Sequence, residues 1–195
     1  MTVEMLNDCC SLEYLDYIRK AAVHSETWTL KYPFGKGLYL EDKFPKLEIV
    51  DAGMVKHPVL AGLVQGLLLQ IYEIDDQDLF IPEIFWCGIS IKDKHIQDKV
   101  HKDYDVEDGM VKIVGIINSD WEQSWGGGFF HDETSYYVKP TSFCIFDPSK
   151  KHAAEEILVD KKRFAIDFSV HRNKQSLEKQ IQYNEWFRNA QKYNR

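Results

Sequence analysis

From about residue 84 the apolar residues of the chain change from helical spacing to an alternation of period two. Six short runs rich in Val, Ile, Phe and Tyr follow, separated by polar turns: IFWCGISI, VKIVGIIN, GGGFF, SYYVKP, TSFCIFD and RFAIDFSVH. Short strands at this spacing predict a sandwich or a barrel. We therefore expect a mainly β core in this part of the chain.

Helical spacing lies on both sides of the β-rich region. Residues 11–23 place apolar side chains at helical intervals behind a serine cap, and residues 57–73 predict a second, largely buried helix. The tail has the pattern of an amphipathic helix. We predict an α+β fold, mainly β with flanking helices, in one domain, 1–195. It would consist of a helical or mixed N-terminal support region, 1–83, a β-rich core, 84–172, and a C-terminal helix, 173–195.

Composition excludes several classes of protein. Of 195 residues, 44% are hydrophobic and 13% aromatic, enough to bury a core without disulfides or a structural metal. The net charge of −7 argues against nucleic acid as a partner. The four cysteines lack CxxC or paired zinc spacing, and no segment resembles an export signal or a membrane span. We expect a cytoplasmic protein without a membrane partner, and the oligomeric state is not indicated.

The stretch VHKDYD, residues 100–105, contains a candidate metal site. His101 and Asp103 are two positions apart, so in a strand or at a strand end they point to the same side. His152 follows the run TSFCIFDPSKK, where a strand ends and the chain turns, and is the candidate third ligand. Two imidazoles and one carboxylate on one face of an octahedron are typical of non-haem Fe(II) oxygenases, whereas structural zinc fills four positions.

A candidate anion-binding residue, Arg163, lies eleven residues after His152 and opens the run RFAIDFSVH. Alternation places Arg163, Asp167 and Ser169 on one face of this strand and four apolar residues on the other. If the apolar face packs against outer helices, Arg163 points into the barrel, where an unpaired guanidinium is costly to bury. A bound carboxylate would satisfy it. A structural pair with Asp167 is the alternative.

In their order and spacing, HKD, GIINSDW, GGGFF, FDPSKKHA and RFAIDFSVH resemble the Fe(II)- and 2-oxoglutarate-dependent oxygenases, in particular their prolyl 4-hydroxylase-like branch. The resemblance implies a double-stranded β-helix (jelly roll) with helices outside. It also implies that His101, Asp103 and His152 bind iron and that Arg163 binds the distal carboxylate of 2-oxoglutarate. The implied reaction uses Fe(II), 2-oxoglutarate and O2 to hydroxylate a C–H bond and releases succinate and CO2; ascorbate is a candidate reductant.

Other residues near these motifs are candidates for further contacts. Relatives commonly carry a hydroxyl residue in the strand after HxD, but Ile116 lies near that position here, which leaves Asn118 as a candidate contact for the cosubstrate. Trp125 and His131, on either side of the glycine run, are candidates for substrate contact. Packing in the core or at the rim is the alternative for Trp125, and a surface role beside a turn is the alternative for His131.

Two classes of function remain open from the sequence. The leading hypothesis is a hydroxylase that acts on a prolyl residue in a peptide or protein, or on a free amino acid or another small metabolite. The rival is a non-catalytic, cupin-like jelly roll that binds a metal or ligand. HxD in place of the HxH-plus-Glu pattern of cupins, together with Arg163, weighs against the rival. A nucleobase demethylase is disfavoured by the acidic charge balance.

Overall fold

The computed structural model describes residues 3–31, 44–51, 53–74, 84–96, 98–103 and 109–171, together with 178 and 182. These residues contain the helices α1 (Leu12–Val23) and α2 (Pro58–Ile74), and a single 3₁₀ turn at Gln123–Trp125. The strands are β1 (Glu4–Leu6), β2 (Thr29–Lys31), β3 (Phe44–Asp51), β4 (Met54–Val55), β5 (Trp86–Lys92), β6 (Met110–Ile116), β7 (Phe129–His131), β8 (Thr134–Tyr136), β9 (Phe143–Phe146), β10 (His152–Ala154) and β11 (Arg163–His171). Within these ranges no helix combines the length and the apolar character that crossing a membrane requires.

The strands form two antiparallel sheets. In the described part of the chain, the larger sheet has the order β1-β9-β6-β11-β5-β3-β2, with β4 paired to β3, and the smaller sheet has the order β10-β7-β8. An isolated bridge between His101 and His152 adds one more position at the edge of the smaller sheet. Both sheets line one internal cavity. This is the predicted jelly roll, and the mainly β fold with flanking helices is confirmed.

Strand β11 shows why the larger sheet has one apolar face and one polar face. Ile166, Phe168 and Val170 are fully buried in a core cluster that also contains residues of both helices. Complete burial of such side chains contributes about 1.5–3 kcal/mol each. The alternate residues Arg163 and Asp167 line the cavity on the opposite face. The predicted orientation of this strand is therefore confirmed.

The two helices cover the outer face of the larger sheet. Helix α1 begins after Ser11, whose Oγ accepts a hydrogen bond from the backbone N–H of Tyr14, as a serine cap should. Leu15 and Ile18 of this helix are fully buried in the same core cluster as Leu67 of α2, whereas Leu12, in its first turn, is 44% exposed. Both helices lie where the sequence predicts them.

Strands β1 to β4 and β10 were not predicted. Strand β3 is eight residues long and pairs with β5. Its buried Leu47 and Ile49 alternate with Lys46 and Glu48, which line the cavity, so the strand has one apolar and one charged face. Strand β10 is only three residues long and contains two alanines, which have low strand propensity. The predicted C-terminal helix lies outside the described residues, except that 178 and 182 have helical backbone. The division of the chain into three regions stays a prediction.

Candidate metal centre and anion pocket

The candidate ligands His101, Asp103 and His152 converge on one point. One possible ligand atom from each side chain lies within 4.8 Å of the other two. Nε2 of His101 is 3.8 Å from Oδ1 of Asp103, and Nε2 of His152 is 3.8 Å from Oδ2. The sequence predicted this group, and the structure brings all three residues together.

Backbone pairing produces this convergence. His101 and His152 exchange two backbone hydrogen bonds, of 3.0 and 2.8 Å, so their side chains lie side by side with ring centroids 4.5 Å apart. The backbone N–H of Asp103 donates to the carbonyl of Pro148, 3.0 Å away, in the turn before His152. The chain therefore fixes all three positions through main-chain contacts.

The hydrogen bonds of the two histidines direct the same ring nitrogen of each toward the centre. Nδ1 of His101 lies 2.9 Å from the carbonyl oxygen of Lys99, and Nδ1 of His152 lies 2.9 Å from that of Lys150. Because a carbonyl oxygen only accepts, each Nδ1 carries the proton and each Nε2 presents a lone pair. The pKa of His152 lies below its usual value, chiefly because of burial and also because of His101 and Lys112, although the Lys150 carbonyl and Asp103 oppose this. The shift favours the neutral form that a metal needs.

These donors fit a divalent transition metal. Two neutral imidazole nitrogens and one carboxylate oxygen form the facial set that leaves three positions open on non-haem iron. Among the described residues this is the group of three potential ligands found close enough to hold an ion. A closed structural zinc site would need a fourth protein ligand.

Lys112 of β6 contacts the same carboxylate and was not predicted as a site residue. Its Nζ is 2.8 Å from Oδ2 of Asp103 and 4.0 Å from Oδ1 of Asp167. Burial alone would lower the pKa of Lys112, but Asp167 and then Asp103 raise it, and the net pKa lies above its usual value. The sequence could have indicated this role, because Lys112 lies between the core residues Val111 and Ile113 and alternation in a strand then directs the lysine into the barrel.

A cavity of about 360 Å³ connects the candidate metal centre with Arg163. His101, His152, Lys112 and Arg163 all line it. Apolar residues complete the wall on both sheets: Val114, Ile116, Phe129, Val138 and Phe146. A ligand in this cavity could therefore reach the metal ligands and the arginine at the same time.

Arg163 is buried, with 4% of its surface exposed. Its Nη1 donates to the carbonyl of Gly127, while Nε has no hydrogen-bond partner among the described residues. Burial lowers the pKa of Arg163, although Asp98 and Glu155 oppose this, and a guanidinium stays charged in proteins. Among the described residues, Asp167 pairs with Lys112 and not with Arg163, so the alternative Arg163–Asp167 pair is not formed. A buried cation with an unsatisfied donor is suited to a carboxylate ligand.

The middle residue of the glycine run, Gly127, is explained by the close approach of Arg163. Gly127 has φ +70°, and a Cβ at this position would lie 3.1 Å from Nη1 of Arg163 and 3.2 Å from the ring of Trp121. The indole N–H of Trp121 in turn donates to the carbonyl of Gly126. Gly127 is therefore part of the arginine's binding environment. The glycine run is visible in the sequence, but its contact with Arg163 is not.

Asn118 holds the backbone on both sides of Arg163. Its Oδ1 accepts from the N–H of Phe164 at 2.6 Å, and its Nδ2 donates to the carbonyl of Lys162 at 3.0 Å. Asn118 does not line the cavity. We therefore assign it the orientation of Arg163 and find no support for the predicted direct contact with a cosubstrate.

An ion pair beside Arg163 fixes the segment that leads to the candidate metal ligands. Lys92, directly opposite Arg163 on the neighbouring strand, pairs with Asp98, and only 10% and 9% of these side chains are exposed. Asp98 lies between β5 and His101. The pair thus tethers this segment to the larger sheet.

Trp125 and His131, the two predicted substrate contacts, do not line the cavity. The ring of Trp125 packs edge-on against Trp121, with the ammonium of Lys161 3.4 Å from its centroid. His131 is only 3% exposed, and its ring packs against Phe146. The surface role considered for His131 is therefore wrong, because strand β7 turns this side chain inward.

The sequence matches none of the protein-family models and none of the curated proteins. Several solved structures share its fold. One is an oxidoreductase of the 2OG-Fe(II) oxygenase family from Burkholderia pseudomallei (TM-score 0.66, 13% identity, 88% of this chain and 86% of that chain covered). Another is a viral collagen prolyl hydroxylase from Paramecium Bursaria Chlorella virus-1 in a 2OG complex (TM-score 0.60, 12% identity, 89% of this chain and 97% of that chain covered). A third is a Trichoplax adhaerens prolyl hydroxylase in complex with a peptide fragment of the hypoxia inducible factor (TM-score 0.58, 13% identity, 90% of this chain and 86% of that chain covered). The predicted resemblance is thus confirmed at the level of the fold.

Proposed function

We propose that this chain is an Fe(II)- and 2-oxoglutarate-dependent dioxygenase that hydroxylates a C–H bond and releases succinate and CO2. One observation carries the proposal: two histidines and one aspartate share a single cavity with a buried arginine whose Nε lacks a hydrogen-bond partner in the described part of the chain. A purely structural metal site would have no use for that arginine. The names of the structural neighbours, which include 2OG-Fe(II) oxygenases, support the same chemistry.

Each residue has a defined task in this function. His101, Asp103 and His152 would hold the iron, and Arg163 would receive the distal carboxylate of 2-oxoglutarate through paired N–H donors. When bound, iron and 2-oxoglutarate supply the oxidising chemistry. The carbonyl partners of both histidines keep each Nε2 directed at the metal position. The charges of Fe²⁺, Asp103, 2-oxoglutarate and Arg163 sum to zero, which favours burial.

For the substrate we propose a prolyl residue in a peptide or protein. Two of the structural neighbours are prolyl hydroxylases, and one of them is in complex with a peptide fragment. A free amino acid or another small charged metabolite is the second candidate, and a specific observation favours it. Lys46 and Glu48 of β3 line the cavity together with Lys92 and Asp98, so its wall carries both signs of charge.

Succinate release tests the enzymatic proposal. Protein loaded with Fe(II) is incubated with 2-oxoglutarate, first alone and then with prolyl peptides or free amino acids, and succinate is measured. We expect release that requires Fe(II) and increases with the correct substrate. His152→Ala should abolish it because the metal loses a ligand, whereas His24→Ala, at the exposed end of α1, should not change it. Metal binding without succinate release under any of these conditions would instead favour the non-catalytic binder.

A further inference from the structure

We propose that Lys112 is a positioning residue for the metal site, which holds one oxygen of Asp103 so that the other oxygen faces the metal. The inference rests on the proposed function because it takes Asp103 as a metal ligand. Lys112 lies in β6, where Val111 and Ile113 are buried in the core on the opposite face. The strand therefore directs the lysine into the cavity, which Lys112 lines together with both histidines.

The contact is well suited to fixing the carboxylate. Nζ of Lys112 is 2.8 Å from Oδ2 of Asp103, and only 19% and 13% of these side chains are exposed, so water competes weakly for the pair. The contact is ionic, since Oδ2 has no hydrogen-bond partner among the described residues. A carboxylate has two acceptor oxygens and can bind a metal through one or both. Oδ1 lies 3.8 Å from Nε2 of His101, and Oδ2 lies 3.8 Å from Nε2 of His152. Because the ammonium of Lys112 engages Oδ2, we assign Oδ1 to the metal. The coordination position that a two-oxygen contact would occupy then stays open.

An ammonium beside a metal cation needs a charge to balance it. Asp167 supplies this charge, because its Oδ1 is 4.0 Å from Nζ of Lys112 on the neighbouring strand β11. The Lys112–Asp167 pair is neutral, so it adds nothing to the zero charge sum of metal, Asp103, 2-oxoglutarate and Arg163. Lys112 can therefore orient Asp103 without increasing the net positive charge of the cavity.

Two explanations of Lys112 predict effects of opposite sign. If the lysine orients a ligand, its removal weakens metal binding, as losses of outer partners of metal ligands typically do by about 10- to 100-fold. If the ammonium of Lys112 instead takes the place of a metal cation beside Asp103 and repels the metal, removal of the lysine strengthens metal binding. The direction of the change in affinity therefore distinguishes orientation from repulsion.

The experiment is a titration with Co(II), followed by the visible absorption of the bound ion, which reports its coordination. We expect one Co(II) per wild-type chain and about 10- to 100-fold weaker binding with an altered spectrum in Lys112→Met. Lys112→Arg, which keeps the charged donor, should recover most of the affinity. Lys161→Met is the matched control, because Lys161 also pairs with an aspartate, Asp120, and lies over an aromatic ring, that of Trp125, but does not line the cavity. It should bind Co(II) like the wild type.

Thermal unfolding of each metal-free variant checks the fold, and Lys112→Gln replaces Lys112→Met if the latter does not fold. Affinity and spectrum that match the wild type, or tighter binding, in the Met or Gln variant would overturn the role of Lys112. If the wild type binds no Co(II), or if His152→Ala binds it equally well, the metal site fails and the role of Lys112 with it. If the Lys112 effect is found but no succinate is released, only the proposed enzymatic function fails.

Discussion

Two residues without any assigned contact to the metal decide how Arg163 can act. Asn118 bonds the backbone at 162 and 164, and Gly127 provides the carbonyl that accepts from Nη1. One side of the guanidinium is thereby fixed, while Nε has no hydrogen-bond partner among the residues that the structure describes. At the scale of single residues, the anion site therefore consists of the Arg163 guanidinium and of the two neighbours that fix its orientation.

Gly127→Ala should impair both stability and anion binding. A side chain at φ +70° is strained, and the added Cβ would lie 3.1 Å from Nη1 and 3.2 Å from Trp121. We expect a loss of about 1–3 kcal/mol in the free energy of unfolding, together with weaker binding of 2-oxoglutarate. Chemical denaturation and a ligand titration measure the two effects.

Gly62→Ala is the control for this substitution. Gly62 lies within α2, and a Cβ there would meet nothing within 4 Å. Alanine should stabilise this helix by up to about 1 kcal/mol and leave ligand binding unchanged. Equal effects of the two alanine substitutions would show that the positive φ and the contact with Arg163 have no importance.

Single residues were predictable from the sequence where the pattern itself determines direction. The spacing of His101 and Asp103 places both side chains on one side, and the alternation in β11 turns Arg163 inward. Lys112 and Gly127 were not predicted, because their importance depends on strands that meet only in three dimensions. Nothing local to Lys112 indicates that Asp103 will lie 2.8 Å away.

At the scale of elements, the segment between β5 and His101 connects the two halves of the site. Lys92 ends β5 directly opposite Arg163, and its partner Asp98 lies three residues before His101. One largely buried ion pair therefore ties the anion pocket to the strand end that carries two candidate metal ligands. Loss of this ion pair should therefore weaken binding both at the candidate metal centre and at the anion pocket.

Asp98→Asn should weaken metal binding and 2-oxoglutarate binding together. The change leaves the buried ammonium of Lys92 without its carboxylate, and breaking such a pair costs about 3–5 kcal/mol. Denaturation and the two titrations are the measurements. Asp160→Asn is the matched control, since Asp160 is 85% exposed and 3.7 Å from its partner Lys94, and its loss should be below about 0.5 kcal/mol. Intact binding at both subsites in folded Asp98→Asn would contradict the tether.

Elements were predictable where β-branched and aromatic residues are dense. The runs that became β5, β6, β9 and β11 are of this kind, and each was predicted, although Lys112 and Arg163 face the cavity. Strand β3 was missed although Leu47 and Ile49 alternate with Lys46 and Glu48, as in a half-buried strand. Strand β10 was missed because it is held by pairing with β7 more than by its own propensity.

At the scale of the whole molecule, the jelly roll brings distant parts of the chain to one cavity. His101 and His152 stand at the edge of the smaller sheet, while Lys112 and Arg163 belong to the larger one. Neither sheet alone contains both a candidate metal centre and an anion pocket. The central claim is therefore that one ligand bridges the two sheets, with one end at the metal and the other at Arg163.

The most direct test is an anaerobic titration of the Fe(II)-loaded protein with 2-oxoglutarate, followed through the metal-to-ligand absorption band. Arg163→Ala loses a charge-assisted pair worth about 2–4 kcal/mol, so its dissociation constant should rise by about 30- to 1000-fold while its affinity for the metal scarcely changes. Arg163→Lys should recover part of the binding, because it restores the charge without the two parallel donors. If Arg163→Ala binds 2-oxoglutarate as tightly as the wild type, Arg163 is structural and the bridging ligand is ruled out.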